Sequence, residues 1–194
     1  SATAAKIYGI PVEEVTGDMR RKAKTANFGI IYGISIFGLA ERLNIPRAES
    51  KELIEGYFKS YPGIRDYMDE SIRIAKEKGY VETIFKRKRY LPDINSHNAI
   101  VRGYAERNAI NAPIQGSAAD IIKVAMVRIY NRFEEEGLKS KMILQVHDEL
   151  VVDMLRSEQE RVAAIVTECM ESAAALKVRL VVDYGVGDNW LEAH

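Results

Sequence analysis

The sequence predicts an α+β fold in which a mostly helical first half is followed by an antiparallel sheet with packed helices. Three observations favour this fold class. Apolar residues recur at helical spacing through most of the first 95 positions, two β-type runs stand close together at 142–146 and 150–155, and helical stretches lie on both sides of those runs. Elements in this order favour helices on one face of an antiparallel sheet. We expect the boundary between the halves near residue 95.

The composition is that of an ordinary globular protein and excludes several classes of function. Of the 194 residues, 47% are apolar and 29% are charged, and the net charge is zero, so any binding of nucleic acid must depend on local clusters. Cys169 is the only cysteine, which excludes an internal disulfide and suits the reducing cytoplasm. No apolar run approaches membrane-spanning length. We therefore expect a cytoplasmic protein with no membrane partner.

Glycine and proline residues divide the first half into short helices. Helical segments are expected at 2–8, 18–32, 46–61 and 64–78. A short apolar segment at 36–43 separates the second helix from the third. Thr16 or Asp18 is expected to cap the second helix, and Gly33 to end it.

The character of the chain changes at residue 80. We expect a strand over 80–85, a turn formed by the basic run 86–89, and a return of the chain at 90–91. Four consecutive cations can contact phosphate, but on a turn they are as easily explained as solvated side chains. The sequence leaves both interpretations open.

The second half is expected to read helix, helix, strand, strand, helix, strand. Its elements are helices at 96–113, 117–136 and 157–174, a hairpin of strands 142–146 and 150–155, and a last strand at 178–184. Pro113 separates the first two helices. Ser157 and Glu160 have the spacing of a capping box for the third helix.

Four side chains recur every four residues in the second expected helix, namely Arg20, Lys24, Phe28 and Tyr32. Four residues of helix turn through about 400°, so these side chains drift by only about 40° per step and share one stripe. Two cations followed by two aromatic rings suit a ligand with an anionic end and a flat end, such as a nucleoside triphosphate. A solvated basic face with aromatic residues in the core has the same spacing, and both interpretations stay open.

Asp148 and Glu149 stand side by side at the tip of the expected hairpin, after His147. Two carboxylates this close cannot both be buried without a cation, because like charges repel. A divalent metal would remove the conflict, and phosphoryl transfer commonly uses two magnesium ions about 4 Å apart. The alternative is that both are turn residues that point into water.

Three motifs, in order along the chain, resemble those of the family A DNA polymerases of bacteria. Residues 20–33 resemble the motif of the fingers helix, 107–116 resemble the helix that contacts the minor groove of primer–template DNA, and 145–150 resemble the catalytic hairpin. The resemblance covers essentially the whole chain. It implies that residues 1–95 are the fingers subdomain and that 96–194 are the C-terminal part of the palm subdomain.

The resemblance implies that the fingers helix binds an incoming dNTP, which a DNA polymerase joins to the 3′-hydroxyl of a primer. Arg20 and Lys24 would bind the triphosphate, and Lys24 would also act as a general acid towards the pyrophosphate. Phe28 would contact the sugar and base. Tyr32 would lie near the position of the template base.

The resemblance also implies contacts to metal and to primer–template DNA. Asp148 would hold magnesium, with Glu149 nearby, and the complete enzyme would use two Mg2+ ions. His147 would touch the primer terminus. Three residues would contact minor-groove acceptors that all base pairs share, and so test pair geometry rather than sequence: Arg107, Asn111 and Gln115.

One departure from the family pattern bears on activity. The family's metal site needs a second aspartate from an earlier strand, and no part of residues 1–17 resembles that motif. We therefore expect a fragment of a replication or repair polymerase, inactive by itself, whose partner is the missing N-terminal part of the same polypeptide. Two alternatives stay open: a non-catalytic module that binds nucleic acid or nucleotides, and a single-subunit RNA polymerase.

Overall fold

The computed structural model describes residues 2–193 and confirms the α+β fold class, with helices and two separate two-stranded antiparallel sheets. The chain divides into two compact units, one that extends to Ile114 and one that begins at Gln115. The division into fingers and palm near residue 95 stays a prediction. None of the helices in the described part of the chain is both long and apolar enough to cross a membrane.

The first unit opens with helices whose bounds follow the glycine and proline positions. They are α1 Ala2–Tyr8, α2 Gly17–Ile31, α3 Ile36–Leu43, α4 Arg47–Ser60 and α5 Pro62–Lys78. The segment expected only as an apolar stretch is the helix α3, because Ser35 caps it by accepting a 3.1 Å hydrogen bond from the Gly38 amide. Helices α2, α3 and α4 share one core, which contains Ala26, Ile30, Leu39, Leu43, Leu53 and Tyr57.

Helix α2 is bounded at both ends by residues that the sequence indicates. The Thr16 hydroxyl accepts a 3.2 Å hydrogen bond from the Met19 amide and so caps the first turn. Gly33 has a φ of 72°, in the left-handed region that favours glycine. The Ile34 amide then donates to the Gly29 carbonyl over 2.8 Å, which ends the helix.

The first hairpin pairs β1 Tyr80–Glu82 with β2 Lys88–Tyr90, and Tyr80 stands opposite Tyr90. Its buried residues join α5 to the next helix, α6 Ala99–Glu135. This second core of the first unit contains Ala75, Val81, Leu91, Ile94, Ala105 and Ala109. The hairpin is therefore anchored on two helices.

The strand predicted over 80–85 is shorter than expected. The Thr83 amide donates to the Arg87 carbonyl over 3.0 Å, and the Lys86 amide donates to the Thr83 carbonyl over 2.9 Å. These bonds close a turn over residues 83–87. Lys86 occupies the left-handed position of that turn, with a φ of 67°.

Helix α6 is continuous, so the break predicted at Pro113 is wrong. Proline has no amide hydrogen and crowds the carbonyl four residues before it, so the Ala109 carbonyl loses its usual donor. The hydroxyl of Tyr67 in α5 donates a 2.8 Å hydrogen bond to the Ile110 carbonyl, three residues before the proline. This bond ties the turn before Pro113 to α5, and the helix continues.

The second unit contains the end of α6, a hairpin of β3 Lys141–Val146 and β4 Glu149–Asp153, and two further helices, α7 Gln159–Glu171 and α8 Trp190–Ala193. Ile143 is an extra residue in β3, because the pairing shifts between Met142 and Leu144. The core of this unit contains Ile129, Phe133, Val162, Ile165 and Cys169, with Leu150 and Val152 of the hairpin packed against it.

The last strand predicted at 178–184 is wrong. This segment has no regular secondary structure, and no part of residues 2–193 pairs with it in a sheet. A strand needs a neighbour to bind its amide and carbonyl groups, so β-type residues without such a neighbour stay irregular.

The capping box predicted from Ser157 and Glu160 is also wrong, because α7 begins without a side-chain cap. Glu158, which lies directly before α7, instead forms hydrogen bonds with the residues immediately before β3. Its carboxylate accepts hydrogen bonds from the amides of Lys139 and Ser140, at 3.0 Å and 2.9 Å, and so ties the start of α7 to the start of β3.

Candidate functional site

The four side chains that recur at this spacing are exposed, three in α2 and one on the residue directly after it, and we call them the α2 stripe: Arg20, Lys24, Phe28 and Tyr32. Phe28 is 53% exposed and Tyr32 is 48% exposed. The opposite side of the helix is buried through Ala23, Ala26 and Ile30. The two rings therefore lie outside the core of the described chain, and adjacent exposed aromatic rings are typical of an interaction surface.

The cations of α2 fall into two classes. Arg21 and Lys22 are each 2.6 Å from a carboxylate oxygen, and the hydrogen bond that Lys22 donates to Glu49 raises the pKa of Lys22. Arg20 and Lys24 have no carboxylate within 4.0 Å among residues 2–193. The positive charge of the α2 stripe is therefore available to an anion from outside.

Helix α6 carries the second set of predicted residues, because Arg107, Asn111 and Gln115 recur along it every four positions. Arg107 and Gln115 are exposed. The side-chain oxygen of Asn111 is buried and has no hydrogen-bond partner in the described part of the chain. Such an atom is uncommon in folded proteins, because an unpaired buried polar group costs free energy. A ligand that offers a hydrogen-bond donor to this oxygen would remove that cost.

Within the first unit, Gly33 at the end of α2 lies against Arg107. A Cβ atom at Gly33 would lie 3.0 Å from Cγ of Arg107, which is closer than ordinary van der Waals contact. The stem of Arg107 therefore packs on the backbone immediately after Tyr32. The structure thus brings Arg107 to the aromatic end of the α2 stripe.

In the second unit, the turn between β3 and β4 consists of His147 and Asp148. Glu149 is already the first residue of β4 and pairs with Val146, so the tip is one residue shorter than predicted. His147 has a φ of 51°, and its carbonyl accepts a 2.6 Å hydrogen bond from the Gln145 side chain. Residues other than glycine in the left-handed region cluster at functional sites.

The carboxylates of this turn offer part of a metal site. Asp148 is exposed, and Glu149 follows it directly at the start of β4. Among residues 2–193, no three side chains of His, Cys, Asp or Glu come together as a complete ligand group. Mg2+ is commonly held by one or two carboxylates, with water and phosphate oxygens at its other positions. The donor set of the turn fits that chemistry.

Sequence reasoning missed Tyr67, whose hydroxyl supports the helix that carries Arg107 and Asn111. Burial raises the pKa of the Tyr67 hydroxyl, which therefore stays protonated and able to donate. Pro113 signals only that the Ala109 carbonyl lacks its usual donor, and Tyr67 binds the neighbouring carbonyl of Ile110. The spacing along the chain could not show which side chain would bind there.

Comparisons with known proteins agree with one another. A sequence model of DNA polymerase family A matches residues 1–192. DNA polymerase I of Geobacillus stearothermophilus is 53% identical over 191 residues, which are 98% of this chain and 22% of that protein. DNA polymerase I of Pseudomonas aeruginosa is 51% identical over 193 residues, which are 100% of this chain and 21% of that protein. The chain thus spans about a fifth of the length of these curated relatives.

A solved structure has a similar fold over nearly the whole chain. It is described as the POL domain of Pol1 from M. smegmatis in complex with DNA primer-template and dNTP. The TM-score is 0.93 and the sequence identity is 43%, over 98% of this chain and 34% of that one.

Proposed function

Because the chain belongs to DNA polymerase family A, we propose that it forms part of a template-directed DNA polymerase that acts in replication and repair. The complete enzyme transfers nucleotides from dNTPs to the 3′-hydroxyl of a primer. Residues 1–95 would be its fingers and 96–194 the C-terminal part of its palm. The bacterial relatives support this activity and a cytoplasmic location. The similar polymerase domain from M. smegmatis was solved with primer–template DNA and dNTP, which supports both as ligands.

One observation carries this proposal: the α2 stripe keeps two cations without carboxylate partners, while the neighbouring cations Arg21 and Lys22 are paired. Arg20 and Lys24 would bind the triphosphate, and Lys24 would protonate the leaving pyrophosphate. Phe28, one turn further along, would lie against the sugar and base. Tyr32 would lie near the position of the template base.

The β3–β4 turn would hold the metal. Asp148 would ligate magnesium, with Glu149 nearby, and the remaining ligands would come from water, phosphate and the rest of the polypeptide. Two bound Mg2+ ions would supply charge stabilisation at the attacking and leaving oxygens. His147, beside Asp148, would contact the primer terminus.

The polar residues of α6 would contact the minor groove at the primer terminus. The minor groove presents acceptors that are common to all base pairs, so Arg107, Asn111 and Gln115 would test the shape of a pair and not its sequence. The Asn111 side-chain nitrogen would donate to such an acceptor, whereas its buried oxygen, which has no partner in the described part of the chain, would need a donor from the ligand.

Primer extension by the full polypeptide, with Mg2+ and dNTPs, tests the proposal. We expect Lys24→Ala to lower kcat/KM for dNTP by about a hundredfold or more, because it removes charge stabilisation from the transition state. The matched control is Arg21→Ala, which removes a neighbouring cation that Asp18 already neutralises. It should stay within about threefold of the parent.

Other outcomes would identify the alternatives. A full polypeptide that binds primer–template DNA and extends no primer would indicate a non-catalytic module. Preferential incorporation of ribonucleotides would indicate an RNA polymerase. We expect the isolated chain to show no templated synthesis, because its turn offers only part of a metal site, and extension above background would contradict that expectation.

A further inference from the structure

The hairpin of β1 and β2 carries charge that the proposed function leaves unused. We propose that this hairpin binds a single strand of DNA, and that the strand is the unpaired part of the template. The binding surface, here called the basic hairpin surface, consists of Lys86, Arg87, Lys88, Arg89 and Tyr90, all of which are exposed. The identification of the strand as template rests on the proposed function.

Positive charge is concentrated on this surface. The whole chain has no net charge, whereas residues 86–89 are four consecutive cations. The Glu82 carboxylate lies 4.0 Å from Nζ of Lys86, and an exposed ion pair at that distance contributes little. Arg89 has no ion pair in the part of the chain that the structure describes. The local excess of positive charge would attract phosphate groups.

Aromatic rings adjoin these cations. The rings of Tyr80 and Tyr90 meet edge to face across the hairpin with centroids 5.7 Å apart, and Nζ of Lys88 lies 4.4 Å from the centroid of Tyr80. Tyr90 is left 67% exposed. Proteins that bind single strands combine cations along the backbone with aromatic rings on which bases stack. Strand β2 offers both kinds of group in consecutive positions.

The surface is held in place by the hairpin beneath it. Thr83 bonds to Arg87 twice, because its amide donates to the Arg87 carbonyl and its hydroxyl accepts from the Arg87 amide over 3.2 Å. Val81 is buried against α6, in the core that contains Ala105 and Ala109. A surface fixed in this way loses little conformational freedom on binding. It is also attached to the helix of the proposed minor-groove contacts.

A single strand fits the surface better than a duplex does. Stacking on Tyr90 requires the open face of a base, and bases inside a duplex are already stacked on their neighbours. The proposed contacts of α6 would hold the paired region of the DNA. The basic hairpin surface, anchored on the same helix, would then be left for the unpaired template.

The test measures equilibrium binding of the full polypeptide to two DNA substrates, without nucleotide or metal. One is a primer–template with about ten unpaired template nucleotides, and the other is a blunt duplex of the same paired length. We expect Lys86→Gln with Arg89→Gln to weaken binding to the first substrate only. The slope of log Kd against log salt should fall by about 1.4, since each phosphate contact to a single strand contributes about 0.7.

Matched variants distinguish the effect of lost charge from the effect of lost stacking and from a general loss of folding. Lys51→Gln with Lys59→Gln removes two exposed cations of α4 and should leave binding to both substrates unchanged. Tyr90→Ala should raise Kd for the primer–template about tenfold, whereas Tyr90→Phe, which keeps the ring, should stay within about twofold. Circular dichroism should be identical for all variants.

Two outcomes would overturn the proposal. If the Lys86 and Arg89 substitutions weaken both substrates equally, the surface binds duplex DNA; if they weaken neither, the cations are only solvated. Primer extension is measured separately, so a failed binding test with normal extension would leave the proposed function standing.

Discussion

The two compact units expose opposite chemistry at their candidate sites. The first unit exposes cations and aromatic rings, in the α2 stripe and on the basic hairpin surface. The second exposes a carboxylate, Asp148, with Glu149 beside it. The net charge of zero conceals this contrast, because a composition averages over the chain. Under the proposed function, changes in the first unit should alter binding and discrimination, and changes in the second unit should alter turnover.

The two hairpins extend this comparison, because their turns share a backbone conformation and carry opposite charge. Each turn places a residue other than glycine in the left-handed region, Lys86 in the first unit and His147 in the second. The first turn spans residues 83–87 and is basic, whereas the second consists of two residues and ends in Asp148. Similar backbone geometry therefore presents opposite charge in the two units.

The largest effect is expected at the acidic turn. Asp148→Asn in the full polypeptide should lower kcat by about a thousandfold or more and change DNA affinity little, because loss of a metal ligand costs several kcal/mol in the transition state. The control is Asp153→Asn, an exposed aspartate at the other end of the same hairpin. Single-turnover incorporation and DNA binding, measured side by side, check the prediction. Near-normal turnover would remove Asp148 from the metal site.

The next effect concerns discrimination in the first unit. Phe28→Tyr should improve the use of dideoxynucleotides by about a hundredfold and barely change normal incorporation. The added hydroxyl would replace the missing 3′-hydroxyl of the analogue as a hydrogen-bonding group. The measurement is kcat/KM for a dideoxynucleotide and for its normal counterpart in both proteins. An unchanged ratio in a folded variant would mean that Phe28 does not face the sugar.

A smaller effect is expected where α2 meets α6. Gly33→Ala should raise Kd for primer–template DNA about tenfold, because its Cβ would displace the stem of Arg107. Gly79→Ala is the matched control, since Gly79 has a similar φ of 76° and no atom within 4 Å of its added Cβ. Both substitutions should cost about 1 kcal/mol of stability.

A double substitution completes that test. In a protein that already carries Arg107→Ala, Gly33→Ala should cause no further loss of affinity, because the crowded Cγ atom is gone. Additive losses would show that the effect of Gly33 does not pass through Arg107. Equal losses in the Gly33 and Gly79 variants would attribute the effect to backbone strain alone.

The smallest effect is on stability and depends on pH. The amide of Lys139, and then the hydroxyl and amide of Ser140, donate to Glu158 and lower the pKa of its carboxyl group. A lowered folded-state pKa contributes stability that is complete above the ordinary glutamate pKa of about 4.3 and is lost as the pH falls through the folded-state value. Glu158→Gln should therefore lower the urea midpoint of the chain at pH 7 and should do so much less near pH 3.

The control for this prediction is Glu160→Gln, which changes an exposed glutamate in the first turn of α7, two residues after Glu158. Its urea midpoint should equal that of the parent chain at both pH values. A Glu158→Gln deficit that persists unchanged in acid would mean that hydrogen bonding to the ionised carboxylate is not its cause.

Local signals predicted the elements of the first unit because the required partners lie within a few residues. Thr16 caps α2 through an amide three positions away, and Gly33 ends the helix through its own backbone. Pro113 misled for the opposite reason, because the donor that supports its helix, Tyr67, lies 43 positions before the carbonyl that it binds. A contact between residues so far apart produces no periodic pattern in the sequence.

The candidate site likewise contains some features that the local sequence indicated and others that depend on distant residues. Helical spacing indicated that Arg20 and Lys24 share a stripe, but it could not show that Lys22 would bind Glu49, which lies 27 positions further along. The β-type residues of 178–184 were misread because a strand depends on a neighbour as much as on its own residues. Tertiary partners, which spacing does not reveal, account for both differences.

The left-handed turn residues have a consequence for anyone who would engineer this polypeptide. Lys86 and His147 occupy backbone positions that glycine would adopt at no steric cost, and an L-residue there costs about 1 kcal/mol. Laboratory evolution for heat resistance would therefore drift towards glycine at both positions. Under the proposed function, evolution for faster or more accurate copying would retain the side chains. These two turns are places where durability and performance select different residues.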